Sequence, residues 1–436
     1  MQINYNNTRS TISKHMLADG MDPVIDLERS HGSWLVDGNT GKEYLDLFSM
    51  YASMSVGYNH PYVMDNIDRL TKAAVNKPAN SDIYSPEMAE FVETVARLAQ
   101  PDYLPYAFFI EGGGLAVENA LKTAFDWKAK KNAQQGKKVP SNLVLHLKDC
   151  FHGRTGYTMS LTDSPDPRKV MHFPKFNWPR VTNPSLRFPL NANNIEEAIK
   201  LEVQSINEIK DFLSKHPDDI ACMILEPIQG EGGDNHFRPE YFKELKTLSL
   251  ENDFLLIYDE VQTGIGITGK MWAHQHNEYK PDVISFGKKT QCCGIFGGER
   301  LDEIDDHVFK QSSRINSTFG GNLVDMVRFT IYLELIEKEN LVNMASENGA
   351  YLLSSLESLQ EEYGDLVSNV RGKGLFCAYD LPSHDYRDKL ISNMEAEGAM
   401  VLGCGQSSIR FRPHLNISKD EIDRAMSMTK KALSNI

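Results

Sequence analysis

The sequence predicts an α/β protein, with a large domain built on a mainly parallel, helix-covered sheet and a smaller α+β domain assembled from the two ends of the chain. Three observations lead there. From about residue 59 to 322, short apolar runs alternate with longer amphipathic stretches, as expected of strands buried on both faces between helices. Ahead of that stretch, residues 33–48 (SWLVDGNTGKEYLDLF) have strand character around Asp37-Gly38 and Thr40-Gly41, which supply hairpin turn residues. Behind it, residues 323–341 (LVDMVRFTIYLELIEKENL) read as a long helix leading into more helices and a few strands, among them 375–380 and 408–411. The expected division is residues 1–70 and 326–436 for the small domain and 71–325 for the large one.

Size and charge narrow the function. At 436 residues and 41% hydrophobic content the chain can bury the cores of two closely associated domains. A net charge of −14 and a pI near 5.4 argue against nucleic acid or an anionic membrane surface as partner, because both attract Lys/Arg-rich faces. Residues 1–16 hold no apolar core of signal-peptide length, and runs such as 254–258 are too short to cross a bilayer, so a soluble, cytoplasmic protein acting on small molecules is expected. The six cysteines form no CxxC pair; they read as buried thiols of a reducing compartment, and no metal site is expected.

Taken in order, the strands of the large domain each end in residues that can carry chemistry. The run 108–110 enters Glu111-Gly112-Gly113-Gly114, and Val117, Ala120, Leu121, Ala124 and Phe125 then recur at helical spacing. The glycine amides therefore stand at a helix N-terminus, which attracts anions; without a GK[ST] ending this is not a Walker loop, and alone it reads as a tight turn. Residues 143–147 precede Phe151-His152-Gly153-Arg154, an aromatic ring followed by a cation; alone, Phe151 reads equally as core. The stretch 162–191, rich in Pro and Asn, reads as an extended surface or interface loop. Residues 220–225 lead into a Gly-rich turn with Glu226 and Glu231, 254–258 into Asp259, and 283–286 into Gly287-Lys288-Lys289.

Asp259 alone could be a helix cap, and most lysines are solvated surface residues. Together, at the carboxyl ends of two successive buried strands, they face one crevice. Pyridoxal 5′-phosphate needs that pair: a lysine amine for its aldehyde and an acid that keeps its ring nitrogen protonated. Lys289 is the local competitor; Lys288 is preferred because it follows a glycine that lets the backbone come close.

ILEPIQGEGG, LIYDEVQTGIGITG and VISFGKKTQ, in this order and spacing, resemble the fold-type I, class III (ω-amino acid) aminotransferases over nearly the whole chain. NKPANSDIYSPEMAEFVET, FFIEGGGLAVENALKTAFDWK, FHGRTGYT and RINSTFGGN are similar to the branch of that family that uses the ε-amine of L-lysine. The resemblance implies a seven-stranded large sheet and a homodimer with active sites at the interface. It implies Lys288 as the lysine bonded to the cofactor, Asp259 as partner of the ring nitrogen, Gly113 and Gly114 at the phosphate, Phe151 stacked on the ring, Gln262 on the ring hydroxyl, and Thr318 reaching a neighbouring subunit's phosphate. For substrates it implies Arg154 on the α-carboxylate of L-lysine, Arg410 on that of L-glutamate or 2-oxoglutarate, and Glu231 as a switch that pairs with Arg410. Two departures stand out: after the strand, Lys288-Lys289-Thr290-Gln291-Cys292-Cys293 stands where many members of the wider class have Lys-Ala-Leu-Ser-Gly-Gly, and Gly114 stands where an alanine is usual. The alternatives are another ω-aminotransferase using ornithine, γ-aminobutyrate or a diamine, a pyridoxal-phosphate racemase or decarboxylase, and a silent binding protein.

Overall fold

The protein's structure is a computed structural model that describes residues 2–436. Strands β1 (Trp34–Val36) and β2 (Glu43–Asp46) pair antiparallel, with Leu35 opposite Tyr44. Their connection turns where Asp37 and Gly41 were expected to turn it: Asp37 accepts from the Asn39 and Thr40 amides, and Gly41 takes a φ of +74°.

Seven strands follow: β3 (Tyr106–Ile110), β4 (Leu143–Leu147), β5 (Arg180–Val181), β6 (Ile220–Leu225), β7 (Leu255–Asp259), β8 (Val283–Phe286) and β9 (Cys293–Gly297). They form one sheet in the order β3-β9-β8-β7-β6-β4-β5. Strand β9 is antiparallel to both β3 and β8, and the remaining pairings are parallel, so β9 alone runs against the other six. Every residue of β6, β7 and β8 is buried. That explains their unbroken apolar runs: helices cover both faces, and each Val, Leu or Ile so buried contributes about 1.5–3 kcal/mol.

The remaining strands are β10 (Ser368–Lys373), β11 (Phe376–Asp380), β12 (Ala399–Met400), β13 (Leu402–Cys404) and β14 (Ser408–Phe411). Four make an antiparallel sheet, β10-β11-β14-β13; the fifth, β12, joins the N-terminal hairpin, with Ala399 parallel to Leu45. The long apolar run after residue 322 becomes two helices, Leu323–Lys338 and Leu341–Glu362, hinged at Asn340 in the left-handed region.

Among the described residues no helix is long and apolar enough to cross a membrane. All six cysteines are free and buried.

Candidate active site

The carboxyl ends of β7 and β8 open on a cavity of about 220 Å³ that Gly113, Gly114, Phe151, Asp259, Gln262 and Lys288 line together. On one side, helix Gly113–Gln134 begins with no side chain capping it at Gly112, so its first amides are left for a ligand. Both glycines also lie in tight surroundings. A Cβ on Gly113 would sit 3.1 Å from Val261 Cγ1, and one on Gly114 would sit 3.3 Å from Thr155 Cγ2.

On the other side stands Asp259, at the end of β7. Its Oδ1 accepts from the Val261 amide at 3.1 Å and the Ser285 hydroxyl at 3.2 Å; its Oδ2 lies 2.7 Å from His152 Nδ1. Burial works against a charge on His152, but the Cys150 sulfur and the Asp259 carboxylate hold its pKa well above the usual imidazole value. The other ring nitrogen, Nε2, is buried without a partner.

Lys288 opens the short turn Lys288–Thr290 and has a φ of +54°, a backbone conformation that costs a non-glycine residue about 1–3 kcal/mol. Burial, with Arg410 and Arg412 nearby, brings its pKa down to about 8. Lys289 points elsewhere: its Nζ donates to the carbonyls of Gln262 at 2.9 Å and Ala52 at 3.2 Å, fully buried.

Glu226 and Glu231 share one Gly-rich turn and differ sharply. Glu226 is buried and accepts from the Phe151 and Gly230 amides, each at 2.9 Å, so it ties the aromatic ring's backbone to the turn. Burial and the charge on Asp259 push its pKa up to about 7. Glu231 is a quarter exposed and reaches two cations, Arg410 Nη2 at 3.2 Å and Lys169 Nζ at 2.7 Å. Burial alone would raise its pKa; Arg410, Lys169 and Lys288 bring it below the usual value. Beyond Glu231 lies a wider cavity of about 840 Å³, lined also by Lys169, Arg387 and Cys404. Gln262 Oε1 accepts from Arg412 Nε and Nη2 at 3.3 Å, and Arg412 is itself held by Asp234 at 2.5 Å.

The structure thus brings together Gly113, Gly114, Phe151, Asp259, Gln262 and Lys288 in one cavity, with Glu231 and Arg410 paired beside it. Arg154 and Thr318 lie outside that cavity and are exposed. His152, Lys169, Ser285 and Arg412 received no role from the sequence. His152 had a signal, being the neighbour of Phe151 in a string already singled out; Lys169, in an aperiodic loop, had none.

The fitness of this cavity for pyridoxal 5′-phosphate rests on its donor set: uncapped helix amides for a phosphate, a buried carboxylate with a protonated histidine behind it for a ring nitrogen, and one lysine amine of lowered pKa.

Comparison with known proteins agrees with that fit. The model of the class-III aminotransferases matches residues 16–433. An L-lysine-epsilon aminotransferase of Mycobacterium tuberculosis is 48% identical over 97% of this chain and 94% of its own length; one of Amycolatopsis lactamdurans is 45% identical over 98% and 96%. A solved lysine aminotransferase from M. tuberculosis, in the internal aldimine form, superimposes with a TM-score of 0.97 at 46% identity, covering 99% of this chain and all of that one.

Proposed function

Since the chain belongs to the class-III aminotransferases, we propose that it transfers the ε-amino group of L-lysine to 2-oxoglutarate, forming L-glutamate and 2-aminoadipate 6-semialdehyde, which cyclises to a piperideine carboxylate. The reaction would be ping-pong, with the two substrates using one site in turn: lysine enters and its aldehyde product leaves before 2-oxoglutarate enters and L-glutamate leaves. Pyridoxal 5′-phosphate, bound in the Lys288 cavity, supplies an aldehyde for the amine and a protonated ring that draws off carbanion electrons. Lys288 Nζ holds the cofactor between turnovers and moves the proton at the reacting substrate carbon. Asp259, backed by His152, would hold the ring nitrogen; Phe151 would cover the ring; Gln262, oriented by Arg412, would meet the ring hydroxyl; and Gly113 and Gly114 would give their amides to the phosphate.

The Glu231–Arg410 pair carries the choice of substrate. Lysine brings no carboxylate near its ε-carbon, so Glu231 stays on Arg410 and the α-carboxylate is taken by Arg154. Glutamate and 2-oxoglutarate bring a carboxylate beside the reacting carbon, and it displaces Glu231 from Arg410. Glu231→Ala accordingly weakens the lysine half-reaction and spares or improves the glutamate one, shifting specificity by about 1–3 kcal/mol, read by single-turnover absorbance with each donor. Equal losses on both donors would reduce Glu231 to a turn residue.

A homodimer suits the surface near the helix amides. Ile83 and Tyr84 are 68% and 77% exposed, Phe319 37%, and the Ser81 hydroxyl donates to the Thr318 carbonyl, so two segments with exposed apolar side chains meet where a second copy would bring Thr318 toward the neighbouring phosphate. The division at residues 70 and 325 suits Arg410, which the C-terminal part of the small domain lends to the site. Six free thiols suit the reducing cytoplasm.

The deciding experiment is a half-reaction screen. Holoenzyme mixed separately with lysine, ornithine, γ-aminobutyrate and putrescine should lose its cofactor absorbance fastest with lysine. A faster loss with ornithine or γ-aminobutyrate would move the assignment to another ω-amino donor, since one methylene is worth about 1–3 kcal/mol.

A further inference from the structure

Glu231 is held by two cations at once, and they are unequal. Its Oε1 accepts from Lys169 Nζ at 2.7 Å, while its Oε2 lies 3.2 Å from Arg410 Nη2. Arg410 sits on β14, paired on one side with Ala378 of β11 and on the other with Leu402 of β13, so its backbone has little freedom. Its Nε and Nη1 are buried and without partners. A carboxylate left to itself would fork across two of those donors, the favoured geometry for arginine. Glu231 makes one long contact instead, and the shorter bond goes to the lysine.

Lys169 stands on the outer side of that pair. It ends the short turn Pro167–Lys169 and lines the 840 Å³ cavity with Glu231; its ammonium is 5.8 Å from the Phe151 ring centroid. The other charges on this rim are engaged with one another, Arg168 with Asp166 at 2.9 Å and Arg387 with Asp388 at 2.8 Å. Among the described residues, Glu231 is the one acid within ion-pair reach of Lys169.

We propose that Lys169 is a positioning residue that holds Glu231 off a two-pronged grip on Arg410, and thereby sets how easily a dicarboxylate substrate gains the arginine. The inference rests on the reading of Arg410 as the arginine that takes the carboxylate beside the reacting carbon. Two effects point the same way. With Lys169 present the Glu231–Arg410 contact is single and long, so an incoming carboxylate has less to displace. Once displaced, Glu231 still has a cation, and it can swing outward on the lysine without leaving a partly buried carboxylate unpaired. Without Lys169, Glu231 settles onto the free Nε and Nη1 donors and, among the described residues, has no second ion-pair partner.

Lys169→Met in the holoenzyme tests this with two readouts. Glutarate, a dicarboxylate with no reactive amine or ketone, should bind about three- to tenfold more weakly by calorimetry, as expected for loss of one partly exposed charge contact in a competition. The ratio of kcat/KM for glutamate to kcat/KM for lysine should fall by a similar factor, through KM more than kcat, and Lys169→Arg should restore both. In a Glu231→Ala background the same Lys169→Met change should shift neither quantity further, because the lysine acts through the glutamate. An unmoved ratio and an unmoved glutarate affinity overturn the inference while leaving the functional reading intact. A shift that persists without Glu231 also overturns it, since Lys169 would then touch the substrate itself. A wild-type protein whose cofactor responds to neither lysine nor glutamate overturns the functional reading and the inference together.

Discussion

Lys288→Ala loses at least about 10⁴-fold in turnover with lysine if, as proposed, one amine both holds the cofactor and carries the proton, since proton transfer alone contributes about 10²–10⁴-fold. Lys289 is no substitute, although it is adjacent and chemically identical. Its Nζ is bound to the Gln262 and Ala52 carbonyls, and Lys289 does not line the cavity that Lys288 enters. Borohydride reduction of the wild type followed by peptide mapping places the label on Lys288. The sign of the pH effect follows from the pKa of about 8: the neutral amine is the nucleophile, so uptake of pyridoxal phosphate by apoprotein accelerates as pH rises toward about 8 and levels off above it. A label on Lys289 would move the cofactor attachment to that residue, and a Lys288→Ala variant retaining more than about a hundredth of wild-type turnover would show that the proton moves by another route.

Asp259→Ala costs about 10²- to 10³-fold in turnover, in line with removal of one preorganised charge aimed at the reacting system. The loss falls on kcat, since lysine binding does not use the carboxylate. A second effect is specific to this chain: the substitution leaves His152 buried with neither ring nitrogen paired, because Nδ1 loses Asp259 and Nε2 has no partner already. An orphaned buried polar group costs about 1–3 kcal/mol, so the urea midpoint falls as well. Near-normal turnover would be fatal to the assignment. Unchanged stability with low turnover would instead mean that His152 relaxes onto water.

The parts of this site that were legible in the sequence are those where burial on both faces enforces a pattern. Strands β6, β7 and β8 appear as apolar runs because every residue along them is buried, and the residue at the end of each run is displayed at the same edge of the sheet. Asp259 and Lys288 could therefore be placed without coordinates. Strand β9 was missed: it opens with Cys293-Gly294, directly behind an unfamiliar Lys-Thr-Gln-Cys string, and its glycine is there for close packing, since a Cβ on Gly294 would come 2.2 Å from the Phe108 carbonyl oxygen. Propensity sees glycine as weakness in a strand, whereas packing here requires it. Lys169 was missed for the opposite reason. Its loop has no period, and its pairing with Glu231 spans 62 residues of chain that only the folded sheet brings together. Arg154 and Thr318 were singled out by resemblance, and within one chain both stand exposed outside the cavity.

The pairing of Leu45 with Ala399 bears on how the chain is made. During synthesis the hairpin that opens the small domain waits through almost the whole length of the polypeptide for its third strand, and Arg410 is delivered later still. The large sheet can assemble first, from β3 to β9, and with it the strand ends that carry Asp259 and Lys288; Arg410, and the Arg412 that holds Gln262, come only with the last few dozen residues. A hairpin too small to be stable alone would stay exposed in the meantime.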